Sequence, residues 1–410
     1  MTGPDIAKEE HVIMKIGNDI YYVGVNDHQV DLFEGQYVVP NGMSYNSYVI
    51  MDEKIAVMDT VDANFKDEWL ENVAKVLDGA KPDYLVVQHM EPDHAANIEN
   101  FMKAYPDTTV VANTKTFTMM GNFFRNLNLD GKKLVVANGD SLTLGKHVLT
   151  FVFAPMVHWP EVMVTYEKTE KILFSADAFG SFGAVDGNIF ADEIDDKVAW
   201  LSEARRYYTN IVGKFGMSVQ GLLKKAAGLE IRMICPLHSV IWREDLPWLI
   251  DKYLKWSSYT PEEKSVTIAY GSVYGHTEKA ADILAGKLAD RGIRHISVFD
   301  VSKTHPSYII ADAFRTSAIV FASITYNGGI FCNMDTLLHQ LAAHGLTNRT
   351  AALIQNGTWA ATTSKQMGEI LGTMKNIHVL ESDVTIKSAL KDNQEAELDA
   401  LADAIAASLQ

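Results

Sequence analysis

Short apolar runs that end abruptly in polar or charged residues recur along the first half of the chain. YLVVQ (84–88) runs into His89, KILFSA (171–176) into Asp177, and IRMICPL (231–237) into His238. Such runs read as buried strands whose carboxyl ends deliver side chains to a common edge. Ahead of them, Lys66–Leu77 places Trp69, Leu70, Val73 and Leu77 at helical spacing, so the first block is mixed α and β. In the second half SVTIAYG (265–271) precedes a helical pattern with Ala280, Ile283, Leu284 and Leu288 on one face, closed by Gly292. SAIVFAS (317–323) and AALIQNG (351–357) repeat the strand-then-polar-loop theme, and LDALADAIAASLQ reads as a closing helix. Strands alternating with helices predict a parallel, doubly wound sheet whose ligand sits beyond the carboxyl ends of its strands.

The texture changes near Trp256, where the polar, proline-containing segment Ser257 to Lys264 separates two blocks that each begin afresh with strand patterns. This predicts domains over 1–256 and 265–410 with a linker at 257–264. A chain of 410 residues exceeds one ordinary core, which agrees with two domains. With 47% apolar and 21% charged residues and no run of 18 apolar ones, a folded protein without a membrane span is expected. The first residues lack a basic stretch followed by an apolar one, so the cytoplasm is the expected location. A formal charge of -16 argues against nucleic-acid binding, which needs clustered Lys and Arg. Cys235 and Cys332 form no CxxC pair, which predicts two reduced, buried thiols rather than a disulfide or thiolate metal centre.

The densest chemical signal is HMEPDH, residues 89 to 94, directly after a strand. Four potential ligands in six residues surround one small volume only if a turn gathers them, and Pro92 favours a turn. One metal cannot comfortably use all four, whereas two can. A lone His at a strand end is usually a structural residue. Two carboxylates and two imidazoles packed there cost several kcal/mol per uncompensated charge unless a metal or counter-charge offsets them, and the motif contains no Lys or Arg. The arrangement resembles the metallo-β-lactamase superfamily, whose HxHxDH motif is followed by a distant His, an Asp and a final His. His158 in FAPMVHWPE, Asp177 in FSADAFGSFG and His238 in CPLHS match those positions, and Glu91 replaces the second His of the motif. Zinc favours nitrogen and sulfur donors, while an added carboxylate suits iron with open positions.

GSVYGHTEKA (271–280) follows a strand and opens a helix, the geometry of an anion site with Ser272 and Thr277 hydroxyls as extra donors. Neither GxGxxG nor a Walker lysine motif is present, so a mononucleotide fits best. Loops at 322–329 and 355–361 reach the same edge, where Tyr274, Tyr326 and Trp359 can flank a flat ring system and Asn327, Gly328, Gly329, Asn356 and Gly357 bring backbone close. This half resembles flavodoxin, which implies FMN. The contacts expected for it are Ser272, Val273, Tyr274, Gly275, His276, Thr277, Ser323, Thr325, Tyr326, Asn327, Gly328, Gly329, Asn356, Gly357, Thr358 and Trp359.

A lactamase-like domain with Glu in its metal motif, joined to a flavodoxin-like domain, resembles the flavodiiron proteins over essentially the whole chain. The resemblance implies an α/β fold, a metallo-β-lactamase-like αββα sandwich followed by a doubly wound parallel-sheet flavodoxin-like domain. It implies two iron ions, one on His89, Glu91 and His158, the other on Asp93, His94 and His238, with Asp177 bridging. It implies reduction of dioxygen to water, nitric oxide to nitrous oxide, or both, with electrons from FMN. It also implies a head-to-tail homodimer or a dimer of such dimers. No CxxC-type rubredoxin extension follows the second block, so a separate donor is expected, of rubredoxin type or a reduced deazaflavin. Where many members place a His near the irons, this chain has Phe33, Glu34 and Gly35. Tyr207 or Tyr208 is a candidate second donor to a bound diatomic. The competing reading is a glyoxalase-type metal hydrolase with the flavodoxin block as a docking or regulatory module. Metal-bound hydroxide would be its nucleophile, and Glu91 and the complete FMN loop set count against it.

Overall fold

The computed structural model describes residues 14–194 and 197–410. They form two compact units, one comprising residues up to Lys197 together with Gly221–Leu246, the other Val198–Gln220 together with Pro247–Gln410.

The first unit contains two sheets. One has seven strands in the order Met14–Gly17, Ile20–Tyr22, Tyr48–Ile50, Ala56–Met58, Tyr84–Val86, Thr109–Ala112 and Lys133–Val135, antiparallel at the first edge and parallel from Ala56–Met58 onward. The other has five, in the order Ser141–Thr143, Val148–Phe153, Met163–Glu167, Ile172–Phe174 and Met233–Cys235. Their central strands are buried on both faces, so each sheet is covered on both sides. The inner faces meet where Tyr48 lies on Phe174, with ring centres 5.2 Å apart. On the outer side Trp69 of the helix Lys66–Leu77 packs on Phe101 of the helix Ile98–Ala104 at 5.6 Å. The first of these helices covers the residues its spacing predicts and stops where Asp78 turns left-handed.

The second unit is a parallel sheet in the order Ile296–Asp300, Glu263–Gly271, Thr316–Tyr326, Arg349–Asn356 and Ile377–Val379, with Val384–Ile386 also pairing with Arg349–Asn356. Numbered along the chain this is the 2-1-3-4-5 order of a doubly wound sheet with one switch point beside its first strand. Helices including His276–Asp290, Pro306–Arg315 and Cys332–Ala343 supply apolar cores on its two faces. The strand expected over 317–323 runs on to Tyr326, because Thr325 and Tyr326 fold back to pair with Gly329–Ile330. Residues 257–264 lie inside this unit: Ser257 ends the helix Leu246–Ser257, Glu263 and Lys264 open the next strand, and 258–262 connect them. A buried ion cluster fastens that connection: Glu262 accepts hydrogen bonds from Arg205 Nε (2.5 Å), Lys252 Nζ (2.9 Å) and Trp256 Nε1 (2.7 Å).

The thiols correct one expectation. Cys235 is buried in a strand, but Cys332, the first residue of its helix, is exposed and donates its Sγ–H to the neighbouring Asn333 Oδ1 (3.0 Å). Among the described residues no helix is long and apolar enough to cross a membrane.

Candidate metal centre and cofactor cavity

The strand Tyr84–Val86 ends just before His89, and a single helical turn, Pro92–Ala95, gathers the rest of the motif. Pro92 at the first helical position fixes the turn, which the missing N–H there does not weaken. The strands ending at Phe174 and Cys235 deliver Asp177 and His238 to the same place. The seven expected metal ligands come together there as two groups. His89, Glu91, His158 and Asp177 form one, Asp93, His94 and His238 the other, and within each the donor atoms lie within 4.8 Å of one another. All seven are buried.

Asp177 stands between the groups. Its Oδ2 lies 3.2 Å from His89 Nε2 and 3.1 Å from His158 Nε2, while Oδ1 lies 3.2 Å from His94 Nε2 and 3.8 Å from His238 Nε2. Glu91 Oε2 reaches His158 Nε2 (3.0 Å) and His89 Nε2 (3.3 Å), and Asp93 Oδ2 lies 3.3 Å from both His94 and His238 Nε2. Four imidazoles thus turn Nε2 inward on three carboxylates. Burial opposes charge on His89, but Asp177, Glu161 and Glu91 outweigh it and hold the ring well above its ordinary pKa. For His158 too burial is outweighed, here by Asp177 and Glu91, which lift the ring to about 9. Burial likewise opposes ionisation of Glu91 and Asp177, and the histidine hydrogen bonds to Glu91 and the histidine charge beside Asp177 override it and push both carboxyls down. Mutual charge therefore holds the cluster together.

Phe33 and Tyr45 close one side, each edge-on to the His238 ring at 5.6 and 5.9 Å. Glu34 sits in a left-handed turn (φ 49°) and takes a hydrogen bond from Gln36 Nε2 (3.2 Å). Glu34 is exposed as a residue, yet desolvation of its carboxyl, then the charge of Glu91, raises that group above its ordinary value.

In the second unit a cavity of 720 Å³ opens at the carboxyl ends of the parallel strands. Of the sixteen expected contacts, its wall contains all but Gly275, Ser323 and Gly329, and it adds Ile324, Ala360 and Ser388. Gly275 (φ 85°) makes the turn into the helix His276–Asp290, whose amino terminus faces this loop, and its N–H bonds Ser272 Oγ (3.1 Å). Gly357 has no space for a side chain, since a Cβ there would meet Ala360 O at 2.1 Å. Tyr274 and Trp359 on the wall are 88% and 93% exposed, a large apolar area for a folded protein to leave in water without a ligand or partner to cover it.

The sequence pattern of the ODP family beta lactamase matches residues 43–239. The anaerobic nitric oxide reductase flavorubredoxin of Escherichia coli O1:K1 is 31% identical over 350 residues, covering 84% of this chain and 72% of that protein. Among solved structures, the rubredoxin oxygen:oxidoreductase of Desulfovibrio gigas superposes with a TM-score of 0.90 at 29% identity, covering 97% of this chain and 98% of that one. The flavodiiron protein of Giardia intestinalis does so with a TM-score of 0.91 at 27% identity, covering 98% and 99%. The chain belongs to the flavodiiron protein family.

The residues of this flavodiiron chain fit the groups its family name implies. Both oxygens of Asp93 and of Asp177 are buried without a hydrogen-bond partner, as is Nδ1 of His94. Unpartnered buried carboxylate oxygens are costly in any protein, and two cations satisfy them directly. Three carboxylates with four imidazoles and no thiolate form a donor set that suits iron better than zinc. The cavity fits a mononucleotide, with helix and loop N–H groups at one end and uncovered aromatics at the rim.

Several contributors escaped sequence reading. Glu161 accepts from His89 Nδ1 (2.8 Å), the Ser44 carbonyl lies 2.7 Å from His238 Nδ1, and Asp59 accepts from the backbone N–H of Gln88 (2.7 Å), the residue before His89. Only Glu161 had a visible signal, its place three residues after His158 in HWPE. Tyr207 and Tyr208 are buried in the second unit, where Tyr208 packs on Tyr253 (5.1 Å) and Trp256 (5.3 Å).

Proposed function

We propose that this chain reduces dioxygen to water, nitric oxide to nitrous oxide, or both, at a non-haem diiron centre supplied with electrons through FMN. The observation that carries the reading is Asp177, one carboxylate directing an oxygen at each of two histidine-carboxylate groups, in a chain that also builds a flavodoxin-like cavity. His89, Glu91 and His158 would hold one iron, Asp93, His94 and His238 the other, and Asp177 would bridge them. FMN would lie in the second cavity with its phosphate at the Ser272–Thr277 turn and its ring against Tyr274, Tyr326 and Trp359. When bound, the two irons and the reduced flavin together supply the four electrons that take O2 to water.

The chain's own residues do the rest. The inward-facing Nε2 atoms would ligate the irons as neutral imidazoles, so metal binding would release the protons that the facing carboxylates favour on His89 and His158. Phe33 and Tyr45 keep bulk water from the His238 side. Glu34 places a second carboxyl beside Glu91, and desolvation together with the charge of Glu91 raises the affinity of that second carboxyl for a proton. Electrons would come from a rubredoxin-type protein or a reduced deazaflavin, and the working form would be a cytoplasmic head-to-tail homodimer or a dimer of dimers. In that form the flavin of one subunit would face the irons of the other.

Purified protein is expected to hold two irons and one FMN per chain. The prereduced protein, mixed in a stopped-flow instrument with O2 or NO at matched concentrations, should reoxidise with at least one of them. Stoichiometric zinc with negligible iron, or no reoxidation by either gas, would overturn the proposal.

A further inference from the structure

The outer nitrogens of three of the cluster histidines are anchored unequally. His89 Nδ1 meets the Glu161 carboxylate at 2.8 Å, His238 Nδ1 meets the neutral carbonyl of Ser44 at 2.7 Å, and His94 Nδ1 is buried with no hydrogen-bond partner. The oxygen of Glu161 that receives His89 also accepts the backbone N–H of Met90 (2.9 Å), so one atom fixes both the ring and the chain that leaves it. Glu161 is itself held, because Asn113, the cap of the helix Thr114–Phe123, donates its Nδ2 to the Glu161 carbonyl (2.6 Å). The Glu161 side chain is fully buried, and no Lys or Arg hydrogen bond to it is present among the described residues. A buried anion with a single strong partner has one evident use, which is to orient that partner and raise its basicity.

We infer that Glu161 is a positioning residue that locks His89 as the Nδ1–H tautomer with Nε2 on the metal, and so makes the His89 half of the centre the tighter of the two. Asp177 serves both halves alike, so the difference lies in the anchors: the other half has a neutral anchor on His238 and, among the described residues, none on His94 Nδ1. Metal should therefore leave in two stages, the Asp93–His94–His238 ion first. This inference rests on the diiron reading. Glu161 also lines a cavity of 480 Å³, so shortening its side chain opens a way for water to reach His89.

The test compares holoprotein with Glu161→Gln and Glu161→Ala, each loaded with ⁵⁷Fe and challenged with a chelator. Wild type should release iron in two phases. Glu161→Ala should weaken retention of the slow iron by about 10-fold to 100-fold, merging the phases. Glu161→Gln keeps the size and both acceptor contacts without the charge, so it should fall between them. Mössbauer spectra should show one quadrupole doublet altered and the other unchanged, while FMN content stays at one per chain. A merely structural role would loosen both irons together and perturb both doublets, and that result overturns the inference. Two irons in wild type with unchanged release in both variants also overturns it but leaves the diiron reading standing. Wild type without bound iron overturns the diiron reading and the inference with it.

Discussion

The two sites lie at the carboxyl ends of strands, yet they are built on opposite principles. In the first unit seven side chains, all buried, face one another, and three anions and four imidazoles are balanced within a few ångströms. In the second unit the site is mainly backbone, glycine and exposed aromatic surface around a 720 Å³ cavity, with little charge of its own. The comparison teaches that a metal centre is a cooperative object in which each donor depends on its neighbours, whereas a flavin cavity is a sum of separable contacts. Replacing one side chain should accordingly do far more in the first than in the second.

Asp177→Asn breaks the comparison at its strongest point. Asn offers one oxygen and one N–H2 where Asp177 serves both groups through two oxygens, so one group of imidazoles would face a donor instead of an acceptor. Iron content should fall below one per chain and O2 or NO consumption by more than about 100-fold, given that even groups outside the ligand set are worth 10-fold to 100-fold. FMN content should be unaffected. Metal analysis and flavin absorbance on one preparation decide this, and joint loss of flavin and iron would show that the two sites are not independent.

The charge cluster around Glu262 in the second unit sharpens the contrast because it supports the fold rather than a ligand. Burial opposes ionisation of Glu262, but the Arg205 hydrogen bond and charge, with Trp256 and Lys252, bring its carboxyl down to about 2 from an ordinary 4.5. A carboxyl lowered on folding stabilises the native state fully above its unfolded value, and that contribution is lost as pH falls from about 4.5 toward 2. The displacement corresponds to roughly 3 kcal/mol at neutral pH. Glu262→Gln, which leaves two cations facing a neutral group, should lower stability at pH 7 by about 3 kcal/mol and flatten the acid limb of the stability curve. Urea unfolding from pH 3 to pH 7, followed by flavin release, checks both parts. An unchanged acid limb would remove Glu262 from the account.

This contrast also governs what the sequence revealed. The metal centre was legible because its chemistry is carried by residue types rarely buried together, His89, Glu91, Asp93 and His94 within six positions. Its supporting shell was not, since the Ser44 carbonyl is backbone and Asp59 comes from a distant strand end. The parallel sheet was legible from strand periodicity, but the extension of one strand to Tyr326 depends on pairing with Gly329–Ile330, within residues whose polarity reads as loop. Ser388 on the cavity wall is brought there by the strand Val384–Ile386, a short run whose pairing partner no local pattern names. The share of Val198–Gln220 in the second unit is likewise a tertiary fact, fixed by Arg205 reaching Glu262 across 57 positions of sequence.

The smallest effect tests separability itself. Trp359 is 93% exposed, so it contributes almost nothing to the folded chain alone, and Trp359→Ala should leave unfolding midpoints within about 0.5 kcal/mol of the parent. If its ring covers the flavin, the same change removes an aromatic contact worth about 0.5–1.5 kcal/mol beyond area burial. That amounts to a loss of FMN affinity of about 2-fold to 10-fold, with iron content untouched. Trp359→Phe should restore most of it, because the stacking face rather than the indole N–H makes the contact. Flavin fluorescence titration of the FMN-stripped protein measures the difference. A Trp359→Ala protein that lost iron, or that bound no FMN at all, would show the cavity to be as cooperative as the metal centre.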